Sequence, residues 1–411
     1  MSTTRRWITK CILVALLGLT LFLKPDPVHG QGGIVVESPA AVIDFGKSIT
    51  FTAKINASSP VQEAYVLFRG VTETTERVEK MQLIPDGTYL FMYDASLNVF
   101  PPFSWLVYWF QATLADGQTY TSEPLQVQYR DDRFPWQHIS QANITVNWYA
   151  GDEAFGQAAL GSAGAGLLSM KDLLPISLTD PIDIYIYSNI DDLQATLMLG
   201  GQTWAGGHAH AELGVVLVAI SPGVSQYTDM DTLIPHELAH VMIYRALGDN
   251  YAKQPAWLVE GISSMAELYP NPEYARALEI ASANDTLLPF ESLCDSFPAD
   301  SGSAFLAYAQ SQSFVSYIRD SFGIPGLTRL MNTYTEGYSC DLGVAQALSL
   351  TLGQLDQRWR ETVLGQNVGG VALRNLLPFL LLLVLVLLVP LWGAIDVMRK
   401  RRKKENGKPA K

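Results

Sequence analysis

Six consecutive residues, Pro235-His236-Glu237-Leu238-Ala239-His240, constrain this chain more than any other stretch. On an α-helix, residues four apart share one face, so His236 and His240 present two imidazoles one turn apart, as a clamp for a metal ion. Glu237 is the next residue round, within reach of a metal-bound water as general base and acid. Leu238, Val241, Met242 and Ile243 supply apolar faces that can bury the helix and keep such a site dry. With 6 His and 17 Glu in 411 residues, an accidental match to this pattern is expected about 0.004 times. Metal chemistry therefore outweighs the alternative of two packed histidines on an ordinary helix.

Both ends of the chain read as non-globular. Residues 1–30 combine Arg5, Arg6 and Lys10 with an apolar run from Cys11 to Leu23, and Val28 and Gly30 then suit a cleavage site. This is the pattern of a secretory signal peptide, and the run is short for a membrane span. From Leu376 to Ile395 there is no charge, enough helix to cross a bilayer, and Arg399 to Lys404 follows as a basic cluster that stays cytoplasmic. The segment from 372 to 397 is accordingly expected to span the membrane, with 398–411 as its cytoplasmic tail and everything before it outside.

Between 31 and 373 there are 15 Lys and Arg against 37 Asp and Glu, a net charge near −22, which disfavours nucleic acid and anionic surfaces as partners. Outside the signal only Cys294 and Cys340 remain, a pair expected to form one disulfide in an oxidising compartment, with two free buried thiols as the alternative.

From 31 to 130 apolar residues alternate in short runs (Ile49–Ala53, Ala64–Arg69, Val78–Ile84, Tyr89–Tyr93, Leu106–Leu114, Leu125–Tyr129), with Asp86-Gly87 and Asp116-Gly117 as turn signals. Such spacing predicts an all-β sandwich of immunoglobulin-like or fibronectin-like type. Asp131 to Pro135 breaks the pattern and opens a second domain, 131–366. There the sequence predicts strands at 143–148, 182–187 and 213–220 and a helix over 152–171. The strand just ahead of the active helix could pair its edge with an extended substrate, or lie inside the sheet. Thr232 is expected to cap that helix, which would put Pro235 in the first turn, where no hydrogen bond is lost. Further helices are expected near 273–283, 303–320, 325–334, 341–349 and 353–364.

Twenty residues after His240, Glu260 lies in a second helix opened by Pro255, and two antiparallel helices would bring its carboxylate to the metal. Two His and one Glu leave a fourth position for water, the arrangement of a catalytic zinc. The motif His236-Glu237-Leu238-Ala239-His240 with Trp257-Leu258-Val259-Glu260-Gly261 resembles the gluzincin peptidases, specifically the bacterial peptidase-MA-like domains. Ala307-Tyr308-Ala309-Gln310-Ser311 and Phe314 to Ile318 resemble the helix that follows in those domains. The resemblance implies a thermolysin-like fold binding Zn2+ through His236, His240 and Glu260. Many gluzincins place an Asp four residues after the glutamate ligand to orient a histidine, whereas here Ser264 stands there. Tyr308 is the candidate for stabilising an oxyanion, and His208 or His210 from a Gly-rich loop are others.

The expected fold class is thus α+β: a sandwich, a thermolysin-like zincin domain and one C-terminal transmembrane helix. The expected activity is hydrolysis of a peptide or protein substrate with Glu237 as base, in a single-pass protein of the cell membrane. The competing reading is a surface binding or adhesion protein that retains a peptidase fold.

Overall fold

The computed structural model describes residues 34–97, 100–171, 180–197, 206–366 and 368–405. The expected signal segment, 1–30, lies outside the described residues. The chain is mixed α and β, strands first and helices after, and divides into two compact units.

Among the described residues the first unit holds nine strands: β1 (Ile34–Asp44), β2 (Ser48–Ala57), β3 (Val61–Gly70), β4 (Arg77–Lys80), β5 (Gln82–Leu83), β6 (Tyr89–Asp94), β7 (Trp105–Leu114), β8 (Thr119–Thr121) and β9 (Leu125–Gln128). One antiparallel sheet runs β1-β2-β6-β5 and the other β4-β3-β7-β8, with β9 paired to β7. Alternation decides which faces are buried: Ile49, Phe51 and Ala53 of β2 and Val66, Phe68, Leu106 and Phe110 of the second sheet form one core. Gly87 and Gly117 adopt positive φ, and the Asp before each accepts a hydrogen bond from the amide two residues on, as the turn signals require. The sequence reading missed β1 and β8. The first is interrupted by a register shift between Glu37 and Ala40, and the second is only three residues long.

The second unit is built on a five-stranded sheet of β10 (Gln137–Gln141), β11 (Ile144–Trp148), β12 (Ile182–Tyr187), β13 (Gly207–His210) and β14 (Val215–Ala219), in the order β10-β11-β12-β14-β13. Strands β11, β12 and β14 are parallel and mostly buried, and β14 is a continuous apolar run, as an interior strand with no solvated face requires. β13 runs antiparallel to β14 at the end of the sheet. The strand ahead of the active helix, β14, is therefore internal. Among the described residues the edge belongs to β13, from the segment read in the sequence as a Gly-rich loop, whose four residues are too few for a periodic signal.

Helices follow in chain order: α1 (Glu153–Met170), α2 (Ile190–Leu197), α3 (Gln226–Leu247), α4 (Ala256–Ala266), α5 (Glu273–Asn284), α6 (Ser301–Thr335), α7 (Cys340–Leu348), α8 (Leu352–Thr362) and α9 (Val368–Glu405). Asp152 caps α1 through the amide of Phe155. α6 is two helical pieces broken at Gly323 (φ 69°, ψ 176°) just before Pro325, which is why the sequence reads as two helices. α9 carries a candidate span, Leu376–Lys400, in which an 18-residue window has mean hydropathy 2.7, and its Phe379, Leu382 and Trp392 are exposed. Among the described residues it is the one helix long and apolar enough to cross a membrane.

The helix bearing the His-Glu motif begins nine residues ahead of Pro235, at Gln226, and not at Thr232. A proline inside a helix removes one donor and leaves the carbonyl four residues back without its partner. Here that carbonyl, on Asp231, accepts instead from the amides of Leu268 at 2.8 Å and Tyr269 at 3.4 Å, so the helix continues through the proline.

Candidate metal centre

Two helices converge on one point. α3 presents His236, Glu237 and His240 from its buried middle, and α4 packs against it and carries Glu260. The close seating of α4 on α6 explains why Gly261 follows Glu260. A Cβ at 261 would stand 2.6 Å from the carbonyl oxygen of Ser311 and 2.4 Å from Cγ2 of Val315, so any side chain would push α4 and its carboxylate away.

The start of α4 is fixed by the Cys294–Cys340 disulfide, which the structure forms across 46 residues. The amide of Ala256 donates to the carbonyl of Cys294 at 2.8 Å, and the indole of Trp257 donates to Sγ of Cys340 at 3.3 Å. Trp257 itself is fully buried against Phe290 and Phe314.

Glu260 Oε2 lies 3.3 Å from Nε2 of His236 and 3.5 Å from Nε2 of His240. Ligand atoms of all three residues fall within 4.8 Å of one another, and Glu260 Oε2 is buried without a hydrogen-bond partner. A tetrahedral ion with bonds of about 2.1 Å separates its ligand atoms by about 3.4 Å. The two measured edges fit that figure, and the unpartnered buried oxygen fits a cation better than a hydrogen bond. The His236, His240 and Glu260 donor set thus suits a divalent metal with one open position.

Each histidine is held from behind. Nδ1 of His236 lies 3.0 Å from Oε1 of Glu267, whose side chain is buried, and Nδ1 of His240 lies 2.9 Å from the hydroxyl of Tyr251. Burial alone would lower the His236 pKa, but the nearby carboxylates of Glu260, Glu267 and Glu237 raise it to about 10. Burial opposes ionisation of Glu260 too, yet His240 and His236 hold its carboxyl far below the ordinary carboxylate range. For Glu237, burial wins over the nearby imidazoles and its pKa is raised.

Glu237 lies against the edge strand. A Cβ on Gly207 of β13 would stand 2.5 Å from Oε1 of Glu237 and 2.8 Å from its Cγ, so the carboxylate rests on bare backbone. Tyr308 stands edge-on to His236, ring centroids 5.9 Å apart, and also packs on Phe297. Its hydroxyl pKa is raised by burial and by Glu260 and Glu237. His208 and His210 sit on β13 with rings 4.7 Å apart, and burial lowers both pKa values, that of His210 to about 4.

Sequence reasoning missed Glu267, Tyr251 and Gly207. The position expected to orient a histidine, 264, is a fully buried serine, and the carboxylate comes from Glu267. Seven residues from Glu260 is two helical turns, the same face as the ligand, so the spacing held a signal. Tyr251 lies in a short 3-10 turn (Gly248–Lys253) with no periodicity to mark it.

Fold and site together define a mixed α+β protein with a buried His-His-Glu cluster, of the donor types that metal ions take, on two packed helices. Residues 162–365 match the sequence profile of the Peptidase MA superfamily, and this segment belongs to that superfamily. No curated protein matches the chain. Similar solved structures include an M1 zinc metallopeptidase mutant from Deinococcus radiodurans, at 13% identity over 81% of this chain and 94% of that one, with a TM-score of 0.38. A bromine derivative of BhCBM56 is 13% identical over 24% of this chain and 96% of its own, with a TM-score of 0.19. A cycloalternan-degrading enzyme from Trueperella pyogenes is 16% identical over 27% of this chain, with a TM-score of 0.18, and the match spans 17% of that enzyme.

Proposed function

We propose that the protein is a membrane-anchored, extracytoplasmic zinc metallopeptidase. The observation that carries this reading is Glu260 Oε2 at tetrahedral-edge distances from Nε2 of both His236 and His240, beside a buried Glu237. Zinc held by His236, His240 and Glu260 would supply Lewis acidity toward a scissile carbonyl and toward the attacking water. Glu237 accepts a proton from the attacking water and delivers it to the leaving amine, a task suited to a carboxyl whose pKa burial has raised. Tyr308 donates its hydroxyl proton in a hydrogen bond to the oxyanion that develops. The substrate is a peptide segment in extended form, hydrogen-bonded to the outer edge of β13 next to Gly207.

On this reading residues 1–30 are a cleaved signal, 31–130 an immunoglobulin-like or fibronectin-like sandwich, and 131–366 a thermolysin-like peptidase domain. Residues 372–397 cross the membrane and 398–411 form a cytoplasmic tail, an orientation supported by the basic residues after the apolar stretch. The test is metal analysis of the full chain purified in detergent, coupled to digestion of a diverse peptide library. About one zinc per chain and chelator-sensitive cleavage are expected. Zinc-loaded protein that cleaves nothing would defeat the enzyme reading.

A further inference from the structure

We infer that Pro235 is a positioning residue: by withholding a backbone donor from its own helix, it opens the acceptor that docks the exit of α4 and so fixes Glu267 behind His236. The inference rests on the proposed metal site for its functional meaning, and its structural half stands on hydrogen bonds alone.

Without Pro235, the carbonyl of Asp231 would be consumed by the amide four residues on, like every other carbonyl in the middle of α3. With it, that carbonyl receives the amides of Leu268 at 2.8 Å and Tyr269 at 3.4 Å. One residue later the hydroxyl of Thr232 donates to the carbonyl of Tyr269 at 2.9 Å. These bonds hold the chain as it leaves α4 in extended conformation, with φ −55° and ψ 127° at Glu267.

Packing alone does not hold this segment. Leu268 and Tyr269 are 37% and 49% exposed, so apolar burial fixes them less firmly than it fixes the fully buried residues of α4. Glu267 is the reverse case, a buried carboxylate whose Oε1 meets Nδ1 of His236, the residue next to Pro235. A buried charge must be placed accurately or it loses more than it gains, and backbone hydrogen bonds to the ligand helix place it with respect to the ligand. Pro235 also lies against Gly166 of α1, where a Cβ on the glycine would stand 2.8 Å from the proline Cβ, so the ring is seated and its helix does not kink freely.

The decisive variant is Pro235→Ala in the full chain. Alanine restores the missing donor, which then competes with Leu268 and Tyr269 for the Asp231 carbonyl, while it favours the helix itself. Hydrogen-exchange protection of the Leu268 amide should fall at least about 10-fold in zinc-depleted protein. The dissociation constant for zinc, read by chelator competition, should rise about 10-fold, as for loss of a group that orients a ligand. The thermal midpoint should hold or rise. Thr232→Val, which removes the second tie, should move both readouts in the same direction by less. Unchanged exchange at Leu268 in Pro235→Ala would overturn the inference, and so would a large drop in thermal midpoint, which would make Pro235 a packing residue. Wild-type protein that takes up no zinc would defeat the metal reading alone, and the exchange measurement would still decide the role of Pro235.

Discussion

The hydroxyl oxygen of Tyr251 lies 2.9 Å from Nδ1 of His240, while Nε2 of the same ring faces Glu260 at 3.5 Å. The two nitrogens therefore have separate tasks. For Nε2 to offer a lone pair to a metal, Nδ1 must carry the proton and donate it to Tyr251, which holds the ring in the metal-binding tautomer. Tyr251→Phe keeps the ring and removes the acceptor. It should weaken zinc binding by about 10-fold in chelator competition with little change in far-UV circular dichroism. Equal affinities in the two proteins would remove Tyr251 from the site.

The disulfide tests how far the site depends on the seating of α4. Cys294 and Cys340 touch the first two residues of the helix, four and three positions before Glu260, through the Ala256 amide and the Trp257 indole. Reduction, or the paired change Cys294→Ser and Cys340→Ser, should cost about 2–4 kcal/mol of stability in a thermal melt. Zinc affinity should fall as well, because the N-terminus of α4 loses two anchors. A melt that shifts with zinc affinity unchanged would limit the bridge to global stability.

Protons and zinc compete for His236. Its folded pKa is raised to about 10 from 6.5. A group raised on folding contributes stability that is fully present below the unfolded value and is lost as pH rises through the folded one. Zinc-depleted protein should accordingly lose stability between pH 6.5 and about 10. Over the same window zinc affinity should increase with pH, by up to tenfold per unit, as the displaced proton becomes easier to remove. Calorimetry in buffers of different ionisation enthalpy counts the protons released. Glu267→Gln should reduce that count near neutral pH, and a count of zero in the wild type would contradict the protonated His236.

Much of the site was legible because its chemistry is local in sequence. His236, Glu237 and His240 are fixed by one helical turn, and Glu260 by a helix opened at Pro255. What could not be read depended on the third dimension or on backbone alone. Glu267 acts on His236 only because the exit of α4 docks on α3, and Gly207 matters for the side chain it lacks. Thr232 looked like a cap because Pro235 normally belongs in a first turn. That rule assumes nothing else can satisfy the stranded carbonyl, and Leu268 does satisfy it. The β-strands and helices with regular alternation were readable, whereas β13, four residues long, had no period to detect.

The sharpest prediction separates metal binding from catalysis, and thereby a peptidase from a binding protein that keeps the fold. Glu237 makes no ligand contact in the His236, His240 and Glu260 set, so Glu237→Gln should leave zinc near one per chain. Activity should nonetheless fall about 10²- to 10⁴-fold, since an amide cannot accept the proton. Glu260→Gln replaces a charged ligand by a weak neutral one and should lower zinc content itself. Gly207→Ala offers an independent route to the first result. Its methyl group would press on the Glu237 carboxylate from the edge strand, so cleavage should drop while zinc stays bound. If Glu237→Gln and Gly207→Ala both cleave the peptide library as wild type does, the carboxylate is not the base. If wild type holds zinc, cleaves nothing and Glu237→Gln still supports the cellular role, recognition and not hydrolysis is the work of this fold.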